Sequence, residues 1–193
     1  GDWSTDWTVN SGRPGRATVV AKADVVIAGV EAAVAVFEVV DSALTVDTVR
    51  GDGSRAGSGD VVLEVTGPVA GILSGERVAL NFLGHLSGIA TLTRAYVDAV
   101  VGTGARVTDT RKTTPGWRQL EKAAVRAGGG LNHRMGLYDM VMIKDNHIAV
   151  AGGITAAVTR VRACNEQRLP VVVEVRTLEE LEEAAVIPPA TAM

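Results

Sequence analysis

The fold class is decided by residues 140–180, which read MVMIKDNHIAVAGGITAAVTRVRACNEQRLPVVVEVRTLEE. Two short apolar runs, Met140–Ile143 and Val171–Val175, are each followed by a helical pattern, at 154–165 and 178–185. Strands that alternate with helices predict parallel βαβ units. The second run is apolar without interruption over three valines, which predicts a strand that is buried on both faces.

The same alternation extends upstream of these strands. Residues 105–108 are predicted to form a further strand, and residues 115–127 to form a helix. The pair Thr114-Pro115 places an N-cap residue before a proline, which is typical of the start of a helix. Three parallel strands are too few to close an α/β barrel, which needs about eight. The simplest interpretation is a C-terminus cut at the segment Pro188–Met193.

The first part of the chain has a different character. Short β-branched runs and glycine turns predict several strands between residues 17 and 70, with one helix at 30–40. Residues 1–16 are predicted to be an irregular loop. A long helical pattern then runs over 73–101, and the four-residue spacing of Gly84 and Gly88 favours close helix packing over ligand contact.

Composition excludes several classes of protein. The 193 residues carry 19 basic and 22 acidic side chains, a net charge of −3, which argues against a general nucleic-acid binder or a polybasic membrane protein. The 47% hydrophobic content excludes disorder as the main state. The single cysteine, Cys164, excludes an intramolecular disulfide and a zinc site of several cysteines, and favours a reducing compartment.

The sequence contains no signal for a membrane or for secretion. No apolar run reaches the roughly 18 residues that span a bilayer, and the longest candidate, 25–40, is interrupted by glycine and glutamate. The chain begins with Gly1-Asp2-Trp3 rather than with a Met and a basic segment, so it has no signal peptide pattern. We expect this N-terminus to be cut.

Basic residues are concentrated in one part of the chain. Residues 106–147 hold eight basic and four acidic side chains, a balance of +4, which leaves −7 for the rest. Such a window in an acidic protein predicts a pocket for a small polyanion, such as a phosphate or a polycarboxylate.

Charged residues also follow each predicted strand. Arg111 and Lys112 follow the first, Lys144 and Asp145 the second, and Glu174 the third. Ligands of α/β sheets and barrels bind at the carboxyl ends of parallel strands. The sequence therefore predicts a charged binding site at these ends. The Gly128–Arg134 turn, with His133, favours a plain loop when taken alone.

Several other residues have ordinary structural interpretations. His85 is interpreted as a packing or surface histidine, and Cys164 as structural. Arg77 is more typical of a solvated charge than of a ligand contact. Arg118, Lys122 and Arg126 recur every four residues, which favours a solvated basic helix face.

The motifs resemble those of the quinolinate phosphoribosyltransferase family, also called the carboxylating nicotinate-nucleotide pyrophosphorylases. The resemblance covers essentially the whole chain. It rests on Thr108–Gly116, Gly128–Arg134, Ile143–His147, Arg77–Asn81 and Gly84–Thr91, together with Gly1-Asp2 and Thr5.

The resemblance implies a fold and an activity. The fold is an N-terminal α/β sandwich domain, here 1–103 with its long helix, followed by an incomplete α/β barrel, here 104–193 without its C-terminal part. The activity is phosphoribosyl transfer from phosphoribosyl pyrophosphate to quinolinate with decarboxylation, giving nicotinate mononucleotide, pyrophosphate and CO2. The resemblance also implies Mg²⁺, a cytoplasmic location and a homodimer with shared active sites.

The resemblance assigns roles to individual residues. The two quinolinate carboxylates would be held by Arg111, Lys112, His133, Arg134 and Lys144. Arg77 would reach the same pocket from a partner subunit. Lys112 and Lys144 would also face the phosphoribosyl pyrophosphate and, with Glu174, act in catalysis. Glu174 would bind the metal, and Asp145 would orient a lysine or contact the phosphoribosyl group.

Two other functions remain open from the sequence, and a third is disfavoured. One is a molybdenum-linked pyrophosphorylase-like relative that acts on another substrate. Another is a catalytically dead binding protein on a truncated fold. A lipoyl-like carrier hairpin at residues 51–67 is disfavoured because its turn carries no lysine.

Overall fold

The computed structural model describes residues 2–10 and 12–187. The chain divides into two compact units, 1–133 and 134–193. Gly1 and the segment Pro188–Met193, on which the expectations about cut termini rest, lie outside the described residues. The domains predicted from the sequence, 1–103 and 104–193, refer to the two domains of the family rather than to these compact units, and they stay predictions.

The first unit consists of five short strands and four helices among its described residues. In chain order they are α1 (Trp3–Thr8), β1 (Pro14–Val20), β2 (Val25–Val26), α2 (Val30–Val40), β3 (Thr45–Thr48), β4 (Arg55–Ala56), β5 (Val61–Pro68), α3 (Val69–Ala99) and α4 (Arg118–Ala127).

The main sheet of this unit is antiparallel and has the order β1-β5-β3. The central strand, β5, buries Val62, Leu63 and Val65, β-branched and aliphatic residues of the kind that pack well on a pleated sheet. They pack with Phe37 of α2 and Ile72 of α3 in one hydrophobic core. A second pairing, β2 with β4, forms a separate two-stranded sheet.

The predicted turn at residues 51–54 has a structural purpose. It places Asp52 at the start of α2, where its carboxylate accepts the backbone N–H groups of Gly29 at 3.1 Å and Val30 at 3.0 Å. Gly29 adopts a left-handed conformation with φ of 91°, which glycine reaches without a steric penalty. Asp52 therefore satisfies N–H groups that the helix itself leaves without a partner.

The helix α3 packs on one side only. Its buried residues include Gly75, Leu83, Leu86 and Ala90. Gly84 lies in open space, and a Cβ built there or at Gly88 meets no atom within 4 Å. The prediction of close packing at these two glycines is therefore wrong within the described part of the chain.

The second unit contains the βαβ unit that residues 140–180 predict. Its elements are β6 (Val141–Ile143), α5 (Asp145–Ala151), α6 (Ile154–Cys164), β7 (Val171–Val173) and α7 (Leu178–Val186). The strands β6 and β7 pair in parallel, as predicted. Ile143, Ile154, Ala157 and Val158 form the buried core of this unit.

Two local predictions are wrong, and a third is shifted by a few residues. Residues 3–8 form α1 instead of a loop because the Asp2 carboxylate caps this helix by accepting a hydrogen bond from the backbone N–H of Thr5 at 3.3 Å. Residues 105–108 form no strand but a single parallel bridge from Thr108 to Leu131. The helix predicted at 115–127 is present as α4 but begins only at Arg118, because a turn precedes it in which Gly116 has φ of 81°.

The two environments on α3 predict opposite effects of one substitution. A Cβ at Gly75 would lie 2.8 Å from the ring of Phe37, which is 2% exposed, so Gly75→Ala overpacks the core and costs about 1–3 kcal/mol. Gly84→Ala removes backbone freedom without a clash and stabilises by roughly 0.5–1 kcal/mol. Denaturant unfolding measures both, and equal stability of the two variants would contradict this account of α3.

Candidate active site

A charged pair forms where β6 and β7 end. Ile143 and Val173 are in register, so the residues that follow them lie side by side. The Lys144 Nζ donates to the Glu174 Oε2 at 2.7 Å, and about half of each side chain remains exposed. The parallel pairing thus brings together two predicted site residues that are 30 positions apart in sequence.

A second charged pair lies beside the first. Arg176 donates to the Asp145 carboxylate, so the cation neutralises an acidic residue that was predicted to contact the substrate. The backbone N–H of Arg176 donates to the Glu180 side chain at 2.6 Å, which fixes the start of α7. Arg176 is a residue of this site without a role predicted from the sequence, although its position two residues after Glu174, just beyond β7, is a signal for one.

His147 fixes the backbone of Lys144. Its Nδ1 accepts the Lys144 N–H at 2.9 Å, the bond that closes the first turn of α5. An imidazole that accepts at Nδ1 holds its proton on Nε2 when it is neutral. His147 belongs to the Ile143–His147 motif but has no role predicted from the sequence. The three-residue spacing between a helix cap and its reciprocal partner is the signal that indicates one.

Arg134 lies against β6. Its guanidinium donates to the Met140 carbonyl at 3.4 Å and contacts the Met142 Sδ at 3.5 Å. The turn after it is closed by Asp139, whose carboxylate accepts the N–H groups of Met135 and Gly136. The side chain of this predicted substrate-binding residue is thereby held along the strand that delivers Lys144.

A buried polar network fixes His133 in the first unit. The Lys122 Nζ donates to the Asp109 Oδ1 and, at 2.9 Å, to the His133 carbonyl. Asp109 also accepts the His133 N–H at 2.9 Å and the Asn132 side-chain amide. The side chains of Lys122 and Asp109 are only 1% and 7% exposed, so each charge is satisfied by the other and by these hydrogen bonds.

This network corrects the predicted solvated helix face. Of the three basic residues on α4, only Arg126 is exposed, and it donates to the Asn132 Oδ1 at 2.7 Å. Arg118 is half-buried and donates to Thr113 and to the Arg111 carbonyl. Lys122 is buried because Asp109 supplies a carboxylate inside the unit, a partner that helical periodicity does not show.

The predicted carboxylate-binding residues of the first unit have different surroundings. Arg111 is half-buried, and its Nε is buried without a hydrogen-bond partner among the described residues. Lys112 is exposed, and its N–H donates to the Thr110 hydroxyl at 3.1 Å. Arg77 is exposed on α3.

The segment after Lys112 is held by Glu121 of α4. The Glu121 Oε2 accepts the backbone N–H of Thr114 at 3.3 Å. Burial raises the pKa of Glu121, but the hydrogen bonds from Thr114 and His85 outweigh burial and lower the pKa below its ordinary value. The folded chain therefore favours the ionised carboxylate.

The donor set limits how a metal ion can bind. The described residues contain no group of three or more His, Cys, Asp or Glu side chains placed to hold a metal. Magnesium sites often use one or two carboxylates together with substrate phosphates. Glu174, a half-exposed carboxylate at a strand end, fits such a site as a single protein ligand.

Comparison with known families identifies the relationship of this chain. Residues 2–87 match the model of the quinolinate phosphoribosyl transferase N-terminal domain, and residues 89–191 match that of the C-terminal domain. The chain belongs to this family. The resemblance found in the sequence motifs is thus confirmed.

Individual relatives agree with the family assignment. A probable carboxylating nicotinate-nucleotide pyrophosphorylase of Synechocystis is 47% identical over 95% of this chain and 62% of its own length. A chloroplastic enzyme of that name from Oryza sativa is 47% identical over 95% of this chain and 50% of its own. The structure of NadC from Streptococcus pyogenes matches with a TM-score of 0.91 and 46% identity, covering 95% of this chain and 65% of that one.

These comparisons also confirm the fold class. The structure of a nicotinate-nucleotide pyrophosphorylase from Francisella tularensis also matches, with a TM-score of 0.90 and 36% identity, covering 95% of this chain and 65% of that one. Both matched structures, the sheet of the first unit and the βαβ unit of the second support an N-terminal sheet domain followed by α/β units. The chain spans about half to two thirds of the length of these relatives. Among the described residues, none of the helices combines the length and apolar character that crossing a membrane requires.

The buried pair makes a strong prediction for stability. Lys122→Met leaves the Asp109 carboxylate buried without its cation, which costs about 3–5 kcal/mol of unfolding free energy. Arg126→Ala is the matched control, because it removes an exposed cation from the same helix and changes stability by less than about 1 kcal/mol. Denaturant unfolding compares them, and a Lys122→Met variant as stable as the control would contradict the role of the pair.

The lowered pKa of Glu121 predicts an acid-dependent contribution. Because the folded pKa lies below the ordinary value of 4.5, the carboxylate stabilises the fold fully above about pH 4.5 and loses this effect as the pH falls through the folded pKa. The difference in Tm between the parent and Glu121→Gln should therefore shrink below pH 4.5. Thermal scans from pH 3 to 7 measure it, and a difference that grows on acidification would refute the sign.

Proposed function

We propose that this chain supplies quinolinate binding and phosphoribosyl transfer in a decarboxylating quinolinate phosphoribosyltransferase. The observation that carries the proposal is Arg111, whose Nε is buried without a partner among the described residues. A half-buried guanidinium group with an unmatched N–H is costly, and a substrate carboxylate that binds this group would offset the cost. Family membership supports quinolinate as that substrate.

The cationic residues are proposed to bind the quinolinate dianion. In the first unit these are Arg111, Lys112 and His133, and the buried Lys122–Asp109 pair supports His133 by fixing its backbone. In the second unit they are Arg134 and Lys144. Arginine offers a planar pair of donors to a carboxylate, whereas lysine offers a compact point charge, so the two types complement each other.

Lys112, Lys144 and Glu174 are proposed to act on phosphoribosyl pyrophosphate. The ion pair of Lys144 with Glu174 holds the ammonium group at a strand end, where a polyphosphate can bind it. Glu174 would hold Mg²⁺ together with the pyrophosphate oxygens. When bound, the ion would neutralise charge on the leaving pyrophosphate. Asp145, paired with Arg176, would orient the neighbouring lysine or contact the phosphoribosyl group.

The chemistry requires no protein nucleophile. The quinolinate ring nitrogen forms a bond to the ribose carbon while the bond from that carbon to pyrophosphate breaks. The fixed cations stabilise the pyrophosphate charge as it develops. The pyridinium ring then accepts the electron pair released when the adjacent carboxylate leaves as CO2, and a proton replaces the carboxylate to give nicotinate mononucleotide.

Assembly and location belong to the same proposal. We propose a homodimer in which Arg77 reaches the partner's site, and the exposure of Arg77 on α3 supports this. A cytoplasmic location is proposed as well. Because the name of the rice relative contains the word chloroplastic, cell fractionation is the experiment that tests the location. The alternative of a molybdenum-linked pyrophosphorylase-like relative acting on another substrate is not favoured, since the relatives carry the nicotinate-nucleotide name.

Calorimetry with quinolinate tests the proposal. Arg111→Ala should weaken binding by about 10-fold to 100-fold, the range for hydrogen bonds to charged groups. Arg16→Ala is the control, because it removes an exposed arginine from β1, paired with Glu64, and should leave binding unchanged. Raising the salt concentration should weaken binding in the parent and the control. Absence of quinolinate binding by a folded chain, or equal binding by the two variants, would reject the proposed function.

A further inference from the structure

Trp117 fixes the end of the segment that carries Arg111 and Lys112. Its ring stacks on Phe82 of α3, with centroids 4.9 Å apart and an interplanar angle of 21°. His85, one turn further along α3, meets the same ring edge-on at 5.2 Å and 78°. Two aromatic contacts from one helix therefore hold the residue at which the segment joins α4.

His85 makes a second, polar contact with the same region. Its Nε2 lies 3.0 Å from the Glu121 Oε1. An ionised carboxylate only accepts hydrogen bonds, so the imidazole donates from Nε2. The other Glu121 oxygen accepts the Thr114 N–H at 3.3 Å. One carboxylate thus links a side chain of α3 to the backbone of the segment.

Shorter-range contacts connect this point to Arg111. The Trp117 N–H donates to the Thr114 carbonyl at 3.0 Å and closes the turn. Arg118 then donates to the Thr113 hydroxyl at 3.2 Å and to the Arg111 carbonyl at 3.5 Å. The backbone from 111 to 117 is therefore tied to α4 at several points, and α4 is tied to α3 through Glu121 and Trp117.

We infer that His85 is a positioning residue for Arg111 and Lys112. Together with Phe82, Trp117 and Glu121 it forms what we name the Trp117 clamp, which holds the 110–117 segment in one conformation against α3. That the held cations receive quinolinate rests on the proposed function, whereas the ordering of the segment does not.

The exposure of His85 indicates that this residue can position the 110–117 segment without contributing much to the stability of the fold. Its side chain is 43% exposed, whereas that of Glu121 is 12% exposed. Because water reaches His85, its contact with Glu121 is screened and contributes little to global stability. A small change in the orientation of a binding group nevertheless has a large effect on a preorganised site. Loss of His85 should therefore affect the segment and its ligand more than the fold.

The sequence offers matched variants for a test. His85→Ala removes both contacts, while His85→Gln retains a side-chain N–H that can donate to Glu121. Asp98→Ala is the control on the same helix, because it removes a half-exposed side chain paired with Arg55 and Arg94. Replacing Trp3 and Trp7 with Phe in every variant leaves Trp117 as the sole tryptophan reporter.

Hydrogen exchange, Trp117 fluorescence and quinolinate calorimetry are then measured on the full chain. His85→Ala should raise exchange of the Thr114 amide and weaken quinolinate binding, each about tenfold. It should also shift the Trp117 emission and leave exchange in β5 unchanged. His85→Gln should restore much of the amide protection and of the binding, and Asp98→Ala should match the parent in all three measurements.

Two results would overturn the inference. The first is unchanged Thr114 exchange and Trp117 emission in His85→Ala. The second is an equal rise of exchange in β5 without rescue by His85→Gln, which would make His85 a folding residue only. If the parent fails to bind quinolinate while Thr114 exchange still responds to His85→Ala, the proposed function falls and the Trp117 clamp stands.

Discussion

Lys122 carries its charge into the interior of the first unit, and Asp109 is the group that makes this possible. A buried ammonium group must find both an opposite charge and hydrogen-bond acceptors, or its desolvation destabilises the fold. Here the Asp109 carboxylate forms an ion pair with Lys122 and also accepts a hydrogen bond from the backbone N–H of His133. This pair consequently fixes three separate pieces of chain at one point. They are the residue after the Thr108 bridge, the middle of α4 and the end of the turn at 128–133.

The second unit reaches its geometry by another route. Parallel pairing of β6 and β7 needs no buried charge, because their apolar side chains pack against α6 in a core of their own. The pairing aligns the two strand ends, so the residue after each strand meets its counterpart. Lys144 pairs with Glu174, and Asp145, the next residue after Lys144, pairs with Arg176, which lies two residues after Glu174. Opposite charges in these pairs keep the strand ends from repelling one another.

Much of this architecture could be predicted because it depends on local patterns. Apolar runs and helical periodicity locate α2, β6, α6 and β7 to within a few residues. The burial of Lys122 could not be predicted, because it depends on a carboxylate 13 positions away. Similarly, the open space beside Gly84 and the stacking of Trp117 on α3 follow from tertiary packing, which local sequence patterns do not reveal.

The division of the chain falls between His133 and Arg134, two neighbours with the same proposed ligand. All members of the Asp109 network belong to residues 109–133, and the cores that support them also lie in the first unit. Nascent chains fold domain by domain, with the N-terminal part first. The backbone of His133 can therefore be fixed by Asp109 and Lys122 before β6, β7 and the helices that follow them have packed.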